Sequence, residues 1–330
     1  MDYAMRGKII LLALTLIVTP CFAAAADKTT AVYTSISGGY APLWVAKEAK
    51  LFEKYGLDAG VVYMRGTVTT SAALVTSEID FIHAGASTYI PYAANGGDVV
   101  LLGCLSNIVL DYVVLSHPSI KSIQELRGKT VGISRPGDQP YYYMREVLKR
   151  SGISVKDVRF VQTGQQPERM EALRRGVVPA TILNTPNNLA LEKEGYRRLV
   201  DLEELKVPAL VRCLITTRKI IRSKPVVVEN MARTWLHSVR YIQTHKREAM
   251  AIIGKYTRNS DAEQLEDAWK SLTYKTDVPP YVSPGKLQEQ IQMLAEDQPE
   301  IKKLEAQKMI ESGVLKKLDE SGWIKKLFQS

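Results

Sequence analysis

Cysteine, histidine and phenylalanine are scarce in this sequence: 3, 4 and 5 residues respectively in a chain of 330. The histidines, His83, His117, His237 and His245, show no metal-ligand spacing. There is no EF-hand, no complete phosphate-binding loop and no GxSxG elbow. The stretch "RGKT" (127–130) lacks the upstream glycine of a nucleotide loop and reads as a helix stop running into a strand. No tract is low-complexity or dense enough in Pro and Gly to suggest disorder. No basic stripe with interleaved aromatics is present, which argues against nucleic acid as a partner. Cys104 and Cys213 each sit inside an apolar run and read as buried free thiols, although export would make a disulfide chemically possible.

What is present begins with a leader. Arg6 and Lys8 precede a short apolar run, Ile9 to Val18, then Pro20 and four alanines ending at Ala26. This is the pattern of a cleavable signal peptide over residues 1–26, and its apolar run is too short to span a bilayer. Pro20 directly before Cys21 speaks against acylation of that cysteine, so cleavage is expected near Ala26. The net charge of +9 gives a weak preference for an anionic partner.

From Asp27 the chain alternates strand and helix signals. Strands are expected at Ala31–Ile36, Gly60–Met64 and Ile79–His83, with helices at Ala41–Tyr55 and along Val68, Ala72, Val75 and Ile79. The order then returns: strands at Lys129–Ser134, Val158–Gln162 and Pro179–Leu183, helices at Tyr141–Arg150 and Glu168–Arg175. Gly39 and Gly137 are 98 residues apart, as are Gly66 and Gly164. Two similar α/β lobes are the expectation. The lobes divide the chain at 27–115, 116–212 and 213–330. The last segment, mainly helical over Pro225–Tyr256, Ala262–Ser271 and Pro284–Ala295, completes the first lobe. The extended runs "DYVVLSH" (111–117) and "LVRCLITT" (210–217) form a two-strand hinge.

In mostly parallel sheets, ligands bind beyond the carboxyl ends of the strands, where helix N-termini favour anions. The turn at Gly38-Gly39 would expose backbone N–H groups there, with Ser35 or Ser37 adding a hydroxyl, and Ser134–Asp138 would face it from the second lobe. Arg135 and the strand-end Arg65 are candidate forks for an anionic group. Tyrosine is abundant, at 16 residues, and Tyr40, Tyr89, Tyr112 and the trio Tyr141-Tyr142-Tyr143 fall near the expected cleft edges. One of the trio, taken as Tyr141, is expected to face a planar organic anion.

The stretches "GGYAPLWVAKEAKLFEKYGLD", "AALVTSEIDF", "SIQELRGKTVGIS" and "ERMEALRRGVVPATI" resemble periplasmic substrate-binding proteins of ABC importers. The similar group is the one that takes nitrate, sulfonates, taurine, bicarbonate or thiamine-pyrimidine precursors. The resemblance implies a type II two-lobe α/β fold, each lobe a mostly parallel sheet flanked by helices. By position, ligand contacts would fall at Ser37, Gly38, Gly39 and Tyr40, and at Gly85, Ala86, Ser87 and Thr88. Others would fall at Asp111, at Arg135, Gly137 and Asp138, and at Asn184 and Thr185. Arg135 stands where the family usually carries a small residue. The implied protein is a monomer that is not an enzyme and needs no cofactor. It captures a small anionic or heteroaromatic ligand by hinge closure and passes it to an inner-membrane permease. The alternative is an enzyme on the same scaffold, resembling thiamine-pyrimidine synthases. Export and the scattered cysteines argue against it.

Overall fold

The computed structural model describes residues 26–108, 112–205 and 207–329. The leader with Cys21, and Asp111, lie outside the described residues.

Two five-stranded sheets organise the chain. The first holds β1 (Asp27–Tyr33), β2 (Leu57–Tyr63), β3 (Phe81–Ala84), β4 (Val100–Ile108) and β10 (Pro208–Thr216), in the order β2-β1-β3-β10-β4. The second holds β5 (Tyr112–Ser116), β6 (Thr130–Ile133), β7 (Arg159–Gln162), β8 (Ala180–Asn184) and β9 (Arg197–Asp201), in the order β7-β6-β8-β5-β9. Three strands run parallel in each sheet, and the next is antiparallel: β10 against β3, β5 against β8. The repeat seen as a spacing of glycines is therefore a repeat of topology. The sheets change over between Ile108 and Tyr112 and between Asp201 and Pro208, a few residues before the joints expected at 115/116 and 212/213.

The helices of the first lobe are α1 (Ala41–Glu48), α2 (Leu51–Lys54), α3 (Thr67–Thr76) and α4 (Ile90–Ala94). Those of the second are α5 (Gln139–Arg150), α6 (Gln166–Arg174) and α7 (Asn187–Lys193). After β10 come α8 (Arg218–Ser223), α9 (Pro225–Thr244), α10 (Lys246–Thr257), α11 (Ala262–Tyr274) and α12 (Pro284–Ala295). Trp235 and Leu236 of α9 and Leu287 and Ile291 of α12 join the buried cluster of the first sheet. Ala41 and Trp44 of α1 pack with Ile253, Leu265 and Ala268 of α10 and α11. A separate cluster around Val131, Tyr143, Met144, Val147 and Ile182 fills the second lobe.

Four sequence expectations change. The helix expected at 41–55 breaks at Lys50, which takes a left-handed backbone (φ 54°). The helix expected at 225–256 breaks at His245, between α9 and α10. The face of α3 is rotated: Val68 is 76% exposed and Val75 42%, while Thr70, Ala73 and Leu74 are buried. Ile79 lies beyond the helix end at Thr76, so it cannot extend that stripe. Finally, Cys104 and Cys213 form a disulfide, not two thiols. They stand opposite each other in the β4–β10 ladder.

Candidate ligand-binding cleft

The carboxyl ends of β1 and β3 face those of β6, β7 and β8 across a cleft between the lobes. Its inner chamber, about 450 Å³ of atom-free space including its mouth, takes Thr34, Ser35, Tyr40, Gly85, Thr88 and Tyr89 from the first lobe. Tyr112, Ser134, Asp138, Gln139, Gln165 and Arg169 come from the second. A neighbouring chamber of about 370 Å³ shares Tyr40, Gly85, Tyr112 and Gln139 and adds Ser37, Gly39, Asn184 and Arg212.

Arg169 sets the electrostatics. It lies on the buried face of α6 with Gln166, Met170 and Leu173, and is 1% exposed. Its Nε donates to the Ile182 carbonyl (3.1 Å) and its Nη1 to the Gly164 carbonyl (2.9 Å). Among the described residues it has no carboxylate partner at ion-pair distance, and its Nη2 has no acceptor. Burial pulls its pKa down to about 10, so it remains a cation at neutral pH. The Asp138 carboxylate on the same chamber wall and Glu168 offset part of the effect of burial at longer range; a buried charge without a contacting counter-ion is still costly, and an anion seated beside it would offset that cost.

The phenols supply donors. Tyr40 and Tyr89 have pKa values pushed up chiefly by burial, so both stay protonated. Tyr89 Oη lies 2.9 Å from Thr70 Oγ1, and Tyr40 Oη 3.2 Å from Thr34 Oγ1. Ser134 Oγ is buried on the chamber wall with no partner among the described residues. Beneath the first turn, His83 Nε2 sits 3.2 Å from the Gly39 carbonyl, and burial lowers the His83 pKa to about 4.

Close approach explains the glycines. Gly38 and Gly39 do not need a left-handed backbone, contrary to a tight-turn reading. A Cβ on Gly38 would sit 3.1 Å from Ala268 Cβ, and one on Gly39 3.2 Å from Arg212 Nε. Across the cleft, a Cβ on Gly85 would collide with the Gln139 amide, and one on Gly66 with the Arg135 guanidinium. Arg212 takes a left-handed backbone (φ 57°) between two register shifts of β10 and donates to Ser271 Oγ (2.7 Å). Backbone strain of this kind is characteristic of ligand clamps and switch regions.

The residues expected from sequence divide as follows. Tyr40, Gly85, Thr88 and Asp138 line the inner chamber, and Ser37, Gly39 and Asn184 the neighbouring one. Arg135 and Gly137 line an outer trough. The Arg135 Nε lies 3.5 Å from Asp138 Oδ1. Thr185 lines a separate depression with Asn188 and Lys270. Gly38, Ala86 and Ser87 are buried behind the cleft surface. Arg65 is spent on an ion pair with Glu168 across the rim. Tyr141 turns away, packing edge-to-face on Phe160 and accepting a hydrogen bond from Arg145 (2.7 Å). Arg169, Gln139 and Gln165 join the site without having been expected there.

Two lobes of this topology, with the strand ends facing across a cleft, define the periplasmic binding-protein fold. The chain belongs to the NMT1/THI5 like family, whose model matches residues 38–249. A protein of Haemophilus influenzae named for thiamine biosynthesis is 25% identical over 243 residues, covering 71% of this chain and 75% of that protein. Among solved structures, a Bordetella bronchiseptica protein superposes with a TM-score of 0.77 at 18% identity, covering 89% of this chain and 98% of that one. The aliphatic sulphonate binding protein of Escherichia coli gives 0.68 at 19% identity, covering 86% and 92%. The nitrate-binding protein of Synechocystis gives 0.71 at 14% identity, covering 90% and 89%. Among the described residues, no helix is long and apolar enough to cross a membrane.

Proposed function

We propose that this protein is the periplasmic solute receptor of an ABC importer. It captures a small organic anion between its lobes, closes about the hinge and hands the anion to a membrane permease. The observation that carries this reading is Arg169, a buried guanidinium on the chamber wall whose charge no carboxylate of the described residues pairs. The solved relatives, a sulphonate- and a nitrate-binding protein, support binding of small anions as the role of the fold. Among the described residues, the lining of both chambers contains no lysine, cysteine or histidine, so the enzyme alternative finds no amine, thiolate or imidazole there.

The test is thermal unfolding of the mature chain, refolded to strip carried solute. The panel holds nitrate, bicarbonate, taurine, alkyl and aryl sulfonates, aromatic carboxylates and thiamine precursors. Ligand at about 100 times its Kd adds roughly 2.7 kcal/mol to the native state and raises the midpoint. One class shifts the wild type; Arg169→Met loses that shift and Arg169→Lys keeps part of it. No shift from any member, in a preparation that carries no small molecule, overturns the reading.

A further inference from the structure

Strand β10 reaches the cleft out of step with its neighbour β4. Pro208 stands opposite Ile108 and Ile215 opposite Leu101, in one frame. Val211, Cys213 and Leu214, between them, stand opposite Ser106, Cys104 and Gly103, one residue out of that frame. Two compensating bulges bracket the stretch: Ala209 and Leu210 face Asn107 alone, and Leu102 is the extra residue on β4. Bulges of this kind re-aim a side chain beside a site. The side chain here is Arg212, which lines the neighbouring chamber beside Gly39 and donates to Ser271 Oγ (2.7 Å) and to the Ser271 carbonyl (3.2 Å). Its left-handed backbone (φ 57°) is unfavourable for an arginine and persists only where the surroundings impose it. The next residue, Cys213, is cross-linked to Cys104. In the frame of the strand ends Cys213 would face Gly103 and not Cys104, so the bond fixes the out-of-step frame.

We infer that the Cys104–Cys213 disulfide is a positioning device for the cleft: it locks β10 out of step with β4, holds Arg212 in its left-handed conformation and so keeps that guanidinium on the chamber wall. What this does for a bound anion rests on the receptor reading; what it does for the backbone does not. Both cysteines are buried and neither lines a chamber, so the bond acts on the ligand through Arg212. With two thiols in its place, nothing covalent opposes the cancelling of the two bulges. Arg212 then returns to extended backbone, its side chain leaves the wall, and the anion is held more weakly.

The experiment has two arms, both on the mature full chain. The first needs no ligand: denaturant unfolding of Arg212→Gly and Arg212→Ala, with the disulfide intact and with Cys104→Ala and Cys213→Ala combined. Both substitutions remove the guanidinium and differ only in a Cβ. With the bond intact, glycine is favoured over alanine by about five- to thirtyfold in the unfolding constant, the left-handed penalty. Without the bond that preference disappears. A cross-link that only stabilises would lower both midpoints alike and leave the preference in place, and that result overturns the inference. The second arm is calorimetric titration with nitrate, methanesulfonate and benzoate. Loss of the bond weakens Kd by roughly ten- to a hundredfold, as for a lost charged hydrogen bond. Arg212→Met weakens Kd by a similar factor in the bonded protein and has no further effect in the variant without the bond. Wild type refolded in dithiothreitol keeps two thiols and makes no cavity, so neither arm depends on the alanine pair folding. If bonded and reduced protein bind a probe equally, or R212M costs the same in both, the positioning role fails and the receptor reading stands. If the bonded wild type binds none of the three, the receptor reading falls and the anion half of the inference with it, while the glycine–alanine comparison still decides the backbone half.

Discussion

Gly85→Ala is a substitution whose cost should fall on closure alone. Gly85 follows β3 with φ −79° and ψ 145°, an ordinary extended backbone that alanine adopts freely. Its added methyl would meet Gln139 of the second lobe, with the amide nitrogen and oxygen at 2.6 Å. Gln139 is nearly buried and donates from Nε2 to Tyr143 Oη at 2.6 Å, so it cannot swing aside without losing that bond. The lost hydrogen bond costs about 1 kcal/mol and an off-rotamer side chain about 0.5–1 kcal/mol. Together they weaken ligand affinity roughly ten- to thirtyfold. With the lobes apart, Gln139 is elsewhere and the methyl costs nothing, so the ligand-free protein keeps its unfolding midpoint. Titration calorimetry of wild type, G85A, Q139A and the double variant, with the anion the panel selects, separates the terms. In the Q139A background, G85A has no further effect, because the atoms it would strike are gone. An equal loss in both backgrounds, or no loss in the wild type, refutes the argument that this pair meets only on closure.

Three further outcomes are expected. Replacing Cys104 and Cys213 with alanine removes a cross-link spanning 109 residues, which costs about 3–5 kcal/mol and lowers the denaturant midpoint; an unchanged midpoint rejects this. His83, with its pKa lowered to about 4 by burial, is neutral when folded and takes up a proton more readily when unfolded. Stability therefore falls as pH drops from about 6.5 toward 4, by up to roughly 3 kcal/mol from this residue, and His83→Leu flattens that limb of the Tm–pH curve. An identical acid limb in wild type and H83L rejects it. The rim pairs that cross the cleft, Arg65–Glu168, Arg145–Asp297, Lys149–Glu296 and Lys193–Asp261, include several half-exposed side chains. The solvated Lys149–Glu296 pair contributes little, so Lys149→Ala should change affinity by less than about threefold; a loss above about tenfold would make that pair a latch.

The βα alternation is legible because each signal is local. Strand ends carry Gly, helices carry a 3.6-residue period, and the spacing of Gly39, Gly66, Gly137 and Gly164 alone discloses the repeat. What is not legible depends on which face an element presents. On α3 the two valines outnumber one leucine as a stripe, yet Leu74 takes the core and Val68 stays outside. Three successive tyrosines on α5 cannot be ranked by propensity, and packing sends Tyr141 to Phe160 and Tyr143 to the core. The disulfide escapes a local reading because it exists only through the pairing of β4 with β10, strands about a hundred residues apart in the chain. Arg169 does leave a signal. Gln166, Arg169, Met170 and Leu173 are spaced i, i+3, i+4 and i+7, which puts an arginine on the buried stripe of its helix. The other charges of "ERMEALRRG" give that helix the look of a solvated one and conceal the arginine that matters.

The repeat also shows how a cation comes to the second-lobe wall of the inner chamber. Gly66 and Gly164 are matched positions, each just before a helix and each with a positive φ, 83° and 97°. In the first lobe the Gly66 carbonyl accepts from Thr70 Oγ1 at 3.0 Å, and the Thr70 hydroxyl lies beside Tyr89 Oη. In the second lobe the Gly164 carbonyl accepts from Arg169 Nη1 at 2.9 Å. The Gly66 carbonyl, at the N-cap of α3, already accepts from the Thr70 backbone N–H, so the hydroxyl adds a second bond there, whereas Gly164 stands one residue before the N-cap Gln165 and its carbonyl is taken by the guanidinium. The hydroxyl brings no charge to the inner chamber, while the guanidinium brings a fixed cation to it from the second lobe; Arg212 of β10 stands in the neighbouring chamber. An anion would then be held first by the second lobe, and the first lobe would close over it with phenols, hydroxyls and the space that Gly85 leaves open.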